Sequence, residues 1–114
     1  MEDQIMSFKK KFLPEKGVCR VSFTLPETIA NYAERVAIVG DFNHWNSFKN
    51  LMKKDKTGKF KATIELPIGK EYQFRYLIDF DRWENEWDAD GLVKTPFDGI
   101  YNSAIDCYLG ESLA

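Results

Sequence analysis

A chain of 114 residues, 44% hydrophobic and 30% charged, has the size and composition of one globular domain rather than of a disordered chain. Its 16 basic and 18 acidic residues leave a formal charge of -2, without the basic surplus that a nucleic-acid binder needs. No apolar run is long enough to span a membrane, and Met1–Phe12 lacks a signal-peptide core, so neither nucleic acid nor membrane is an expected partner and the expected compartment is the cytoplasm.

Along the chain, Ile5, Phe8 and Phe12 have a weak helical spacing that equally suits an extended arm, so residues 1–16 are assigned to an N-terminal arm. Lys9-Lys10-Lys11 within it, and Lys53-Lys54 later, read as solvated charge runs. From Val18 to Leu25, Cys19, Val21, Phe23 and Leu25 fall on one face and Arg20, Ser22 and Thr24 on the other, the period of a half-buried strand. Pro26 ends that strand, and Glu27–Glu34 has room for one helical turn. Arg35–Gly40, with Val36, Ile38 and Val39, reads as a central strand. Phe60, Ala62, Ile64 and Leu66 alternate with polar residues, as do Tyr72, Phe74, Tyr76 and Ile78. Pro67-Ile68-Gly69 between these two runs predicts a hairpin. A last strand covers roughly Asn102–Tyr108.

Short alternating segments without a long helical period predict an all-β antiparallel sandwich over residues 17–109, followed by a tail at 110–114. Phe23, Val36, Ile38, Phe60, Ile64, Phe74 and Tyr76 are its predicted inward residues. Cys19 and Cys107, far apart in a chain without an export signal, are expected to be reduced and buried.

Three loops interrupt the alternation: Asp41–Asn46, Phe80–Asp88 and Thr95–Asn102. They are rich in aromatic and polar side chains, in a chain that is 15% aromatic, more than a small core needs. The lone His44 has no serine or cysteine partner at a recognisable spacing, there is no glycine-rich phosphate loop, and no metal or cofactor is expected. Asp79, Asp81, Glu84, Glu86, Asp88 and Asp90 are the strongest catalytic suspects, but solvated acids balancing Arg35, Arg75 and Arg82 are the better reading. No catalytic residue is assigned. Binding fits better: an indole face stacks on the C–H face of a pyranose, and guanidinium and amide groups meet its hydroxyls. Trp45, Arg75, Trp83 and Asn102 supply that combination, with Asn43, Trp87 and Ile100 as further candidates. Of Trp83 and Trp87, four residues apart, at least one is expected to cover core, and Asn43 is equally readable as a turn residue.

The run Val36-Ala37-Ile38-Val39-Gly40-Asp41-Phe42-Asn43-His44-Trp45-Asn46 resembles the strand-turn of carbohydrate-binding modules of family forty-eight. This early-set group includes the glycogen-binding domain of the AMP-activated protein kinase β subunit and the N-terminal modules of isoamylases and branching enzymes. The resemblance continues through Leu66–Gly69, Tyr72–Asp79, Trp83-Glu84-Asn85, Ala89-Asp90 and Asn102-Ser103. It implies an immunoglobulin-like sandwich and affinity for α-1,4-glucans such as glycogen, starch or maltodextrin. By the same resemblance Trp45 and Trp83 match the two stacking tryptophans, Arg75 stands where relatives carry lysine, and Asn102 matches a hydroxyl-binding asparagine. The relatives' apolar loop residue falls on Asp98, with Ile100 close by, and Trp87 has no counterpart in the kinase subunit. The implied role is non-catalytic, bringing the chain or a partner, such as a glycogen-metabolising enzyme or kinase, to polysaccharide. The alternative is a structural or protein-interaction sandwich that has lost the sugar.

Overall fold

The computed structural model describes residues 7–30 and 32–109. Its elements are β1 (Ser7–Leu13), β2 (Val18–Leu25), α1 (Glu27–Ala30), β3 (Val36–Gly40), β4 (Lys53–Lys54), β5 (Phe60–Pro67), β6 (Glu71–Ile78), β7 (Arg82–Glu84), β8 (Gly91–Lys94) and β9 (Tyr101–Asp106). Two antiparallel sheets result, one in the order β1-β2-β5-β4, the other β3-β6-β9-β8 with β7 also on β6. The fold is thus the all-β sandwich that the alternation predicts.

The main core lies between the sheets. Cys19, Val21, Phe23 and Leu25 of β2 and Phe60 and Leu66 of β5 face Val36, Ile38, Phe74, Tyr76, Ile78 and Ile105 of the other sheet. Ile64 is half-buried against this cluster, so every predicted inward residue joins it. Phe23 meets Phe74 and Tyr76 edge-on, at ring separations of 5.3 and 6.4 Å. Cys19 and Cys107 are buried free thiols, and burial is the main reason the Cys107 thiol is pushed up to about 12. Protonated and enclosed, they behave as small apolar groups.

Two expectations are corrected. The segment assigned to an arm is, from Ser7 onward, an edge strand paired with β2 along its length, Ser7 opposite Thr24 and Leu13 opposite Val18. Its parity is two rather than helical: Phe8 packs on Phe23 and Phe74, and Phe12 also lies against the core. Lys10, read as solvated, extends its ammonium to Asp90 and to the Asp106 carbonyl, each at 2.8 Å, and so ties β1 to the opposite sheet. Ile5 and the tail at 110–114 lie outside the described residues.

Secondly, β5 and β6 do not form a hairpin. Pro67-Ile68-Gly69 carries the chain from one sheet to the other, anchored by Ile68 N–H on the Gly17 carbonyl and Gly69 N–H on that of Cys107. The reason is burial. Each strand has one apolar face, and crossing over lets the two faces meet, whereas a hairpin would set both on one side of a single sheet.

Gly40, at the end of β3, is required by space. A Cβ there would lie 2.4 Å from the Gln73 carbonyl oxygen and 2.8 Å from the Phe74 Cβ. Gly40→Ala is therefore expected to lower unfolding stability by about 2–3 kcal/mol through overpacking. Urea denaturation measures this, and a midpoint equal to wild type would show that the contact relaxes without cost.

Candidate functional site

The site begins where β6 changes partner. On one edge β6 pairs with β3 throughout, Val36 opposite Ile78 and Gly40 opposite Phe74. On the other edge, Tyr76–Ile78 pair with β7, whereas Glu71–Phe74 pair with β9. Arg75 falls between the two ladders. Its side chain alternates away from the core residues Phe74 and Tyr76, so it stands on the outer face at the seam.

Behind the seam the two strand ends are sewn together. Ser103 Oγ accepts the Glu86 N–H at 2.8 Å and donates to Asn85 Oδ1 at 2.7 Å. Glu86 is fully buried and accepts the Tyr76 hydroxyl at 2.5 Å. This takes the inward place expected for a tryptophan: Trp83 and Trp87 are 46% and 62% exposed, and neither covers core. Burial is the main reason the Glu86 carboxyl is raised above the ordinary carboxylate range, with the Asp88 charge adding to it. Bonds from Tyr76 and the Asp88 N–H draw it partly back.

The first loop presents Trp45. After Gly40 a short 3-10 turn spans Asp41–Asn43. Asn43 is buried within it: its Oδ1 accepts the Gly40 N–H, and its Nδ2 donates to the Ile38 carbonyl and to Asn50 Oδ1. Its amide is committed to bracing the turn rather than facing a ligand. His44 and Trp45 then both adopt left-handed backbone, φ 57° each, held by the Trp45 N–H on the Gly40 carbonyl at 2.8 Å. Two successive non-glycine residues in that region are strained, and the strain turns the indole outward.

The third loop joins β8 to β9. Thr95 closes it, with its N–H and Oγ1 both donating to the Ile100 carbonyl. Gly99, at φ 76°, makes the turn that presents Ile100.

These parts enclose two shallow clefts of about 290 Å³ each. Arg75, Trp83, Glu84, Asn85, Ile100 and Tyr101 line the first; Trp45, Arg75, Pro96, Phe97, Ile100 and Asn102 line the second. Arg75 and Ile100 belong to both, so Ile100 rather than Asp98 is the apolar loop residue at the centre. Four sequence candidates, Trp45, Arg75, Trp83 and Asn102, thus meet on one surface with Ile100. Trp87 stands beside them, donating its indole N–H to Glu84 at 2.9 Å. Phe97, 68% exposed, and Gln73, which accepts the Asn102 amide at 3.0 Å, were not singled out individually. Phe97 belongs to the aromatic Thr95–Asn102 loop, whereas no local sequence pattern marks the Gln73 contact.

The polar groups are poised unevenly. The Arg75 guanidinium lies 4.6 Å from the Trp83 ring centre, and burial lowers its pKa. Arg75 Nε and Asn102 Oδ1 are buried and have no hydrogen-bond partner among the described residues. One is a donor and the other an acceptor. A larger recess of about 390 Å³ opens beside Phe42 and Tyr72, lined also by Ile64, Leu66 and Lys70, and it includes none of the sequence candidates.

A β-sandwich whose loops offer open indole faces around a guanidinium and an amide is, in class, a carbohydrate-binding module. The family model described as the glycogen recognition site of AMP-activated protein kinase matches residues 25–107, and the chain belongs to that family. No curated protein matches the chain. Among the described residues no helix is long and apolar enough to cross a membrane.

Glu86 supplies a prediction with a definite sign. Its folded pKa lies above its unfolded value of about 4.3, so its contribution to stability is complete below that value and is lost as pH rises through the folded pKa. Glu86→Gln removes this titration. The stability difference between variant and wild type should therefore move in the variant's favour as pH rises above about 4. Urea midpoints measured across pH test it; parallel profiles would show that Glu86 carries no shift.

Proposed function

We propose that the chain is a non-catalytic α-glucan-binding module that carries itself, or a cytoplasmic glycogen-metabolising enzyme or kinase, to polysaccharide. The observation behind this reading is that Arg75, with an unmatched buried donor, and Asn102, with an unmatched buried acceptor, line clefts that the exposed rings of Trp45 and Trp83 also line. Sugar hydroxyls both donate and accept, and the flat C–H face of a pyranose suits an indole. Ile100, projecting between the clefts, suits the concave side of a curved glucan chain.

The acids argue for binding without hydrolysis. Within the Asp79–Asp90 run only Glu84 lines either cleft, and it is engaged by Trp87. Glu86 faces Tyr76 in the core. Opposed carboxylates across a bound glycosidic bond are therefore not available from this run. Purified protein should release no reducing sugar from amylose; release abolished by Glu84→Gln would overturn the non-catalytic reading.

Stacking contributes on the order of 1 kcal/mol per ring beyond area burial, and ordering the sugar offsets much of the gain, so micromolar to millimolar affinity is expected. Titrating maltoheptaose against tryptophan fluorescence should give saturable binding. Trp45→Ala and Trp83→Ala should each weaken it about tenfold or more, with the thermal midpoint retained. Arg75→Lys should retain more affinity than Arg75→Ala. Migration retarded in a glycogen-containing native gel, but not in dextran, is the companion result. No spectral change and no retardation would leave a sandwich that has lost sugar binding.

A further inference from the structure

The outer face of the β3–β6 sheet carries a second arginine held among aromatic rings. Arg35, just before β3, lies 3.8 Å from the Phe80 ring centre and 5.1 Å from that of Phe48. The two rings are 5.6 Å apart, and Phe48 and Phe80 are 70% and 54% exposed. Parity puts Arg35 on the same side as the clefts. Val36 and Ile38 enter the main core, whereas Ala37 and Val39 pack with Leu77 in a separate outer cluster. Arg35 continues the Ala37 and Val39 series, and Val39 is the register partner of Arg75.

The two groups are built alike. The loop after β3 supplies Trp45 to the first and Phe48 to the second, and the chain after β6 supplies Phe80 from its turn and Trp83 from β7. Each loop uses a pair of left-handed non-glycine residues, His44 and Trp45 in one, Asp79 and Phe80 in the other, the latter at φ 51° and 68°. Such strain persists where the surrounding structure over-determines it, here by the Asp79 N–H on the Arg35 carbonyl and the Asp79 carboxylate on the Glu34 and Arg35 N–H groups. Arg35 Nη2 is anchored on the Ser47 carbonyl, while Nη1 is buried and unpartnered among the described residues. The buried side-chain atoms so left, Arg35 Nη1, Arg75 Nε and Asn102 Oδ1, all belong to these two groups.

We infer that Phe48, Arg35 and Phe80 form a second glucan subsite, about 13 Å from the first along β3 at roughly 3.3 Å per residue, which takes a chain already lying over Trp45 and Trp83. The occupant is the same polymer because both groups lie on one face of the sheet and the chemistry repeats: exposed ring surface for C–H stacking and an orphaned guanidinium donor for a hydroxyl. This rests on the glucan-binding reading of the first site. It gives the module a preference for long chains, since a short oligosaccharide fills only the first group.

Calorimetric titration with maltotetraose and with a long linear maltodextrin tests it, using wild type, Phe48→Ala, Phe80→Asn and Trp83→Ala. Asparagine tolerates left-handed backbone, so Phe80→Asn should keep the fold while removing the ring, and thermal unfolding checks this. Trp83→Ala should weaken both ligands. Phe48→Ala and Phe80→Asn should leave maltotetraose unchanged and weaken the long chain about fivefold. If the phenylalanine variants bind the long chain as wild type does, or weaken both ligands alike, the second subsite is wrong and the first stands. A partner protein on these rings would give the former result. If wild type binds neither ligand, both readings fall.

Discussion

The surface depends on the exchange of partners along β6. A strand paired with one neighbour throughout would present a flat row of side chains. Here Arg75 falls between the ladder to β7 and the ladder to β9, and the chain between them turns outward as the Glu84–Asp90 segment. The gap must be closed, because buried backbone N–H groups without partners are costly. Ser103 and Glu86 close it from the core side, the first taking the Glu86 N–H, the second that of Asp88. The outer side remains open and becomes the cleft. A buried carboxyl is an expensive means of holding a loop, unless its proton or its bonds are secured, and the Tyr76 hydroxyl together with the raised pKa does this.

Backbone strain is distributed in the same way. Left-handed pairs at His44-Trp45 and Asp79-Phe80 cost about 1–3 kcal/mol per residue where non-glycine side chains adopt them. The first follows the short turn after β3 and the second follows β6 directly, and both are locked by bonds to backbone carbonyls or fixed N–H groups. The rigid sheet therefore absorbs the strain and aims the rings before any ligand arrives.

Much of the fold was legible because its central strands alternate. Val18–Leu25 is β2 without adjustment, and Phe74 and Tyr76 mark β6. What escaped were edges and contacts across space. β1 was obscured by three consecutive lysines, β4 by two, and β8 by having only Leu92 and Val93 as apolar residues. Nothing in local spacing tells whether Lys10 points to water or to Asp90, since that partner is 80 residues away. Pro67-Ile68-Gly69 has the composition of a hairpin turn, and only the need to face two apolar surfaces together sends it across the sandwich. In the site, the residue types of Trp45, Arg75, Trp83 and Asn102 were readable. The exclusion of Asn43 and the arrival of Ile100 at the centre were not, because both follow from how two turns close.

The two outer faces show what the sequence has been shaped for. On the β2–β5 sheet, outward register partners are polar: Arg20 opposite Glu65, Ser22 opposite Thr63, Thr24 opposite Lys61. Arg20 and Lys16 converge on Glu65, and the Arg20 guanidinium is the first cause of its lowered pKa. Exposed ion pairs of this kind contribute little stability but keep a surface soluble. The β3–β6 face instead shows Trp45, Phe48, Phe80, Trp83 and Phe97, each 38–70% exposed. Folding alone gives no reason for the difference, since each sheet already buries its inner face against the other. Large rings kept in water on one side, at a cost in solubility and under backbone strain, set this face apart from the other. The arginines set among them place guanidinium donors beside the rings, so this face joins polar and apolar chemistry where the other carries only solvated ion pairs and hydroxyls.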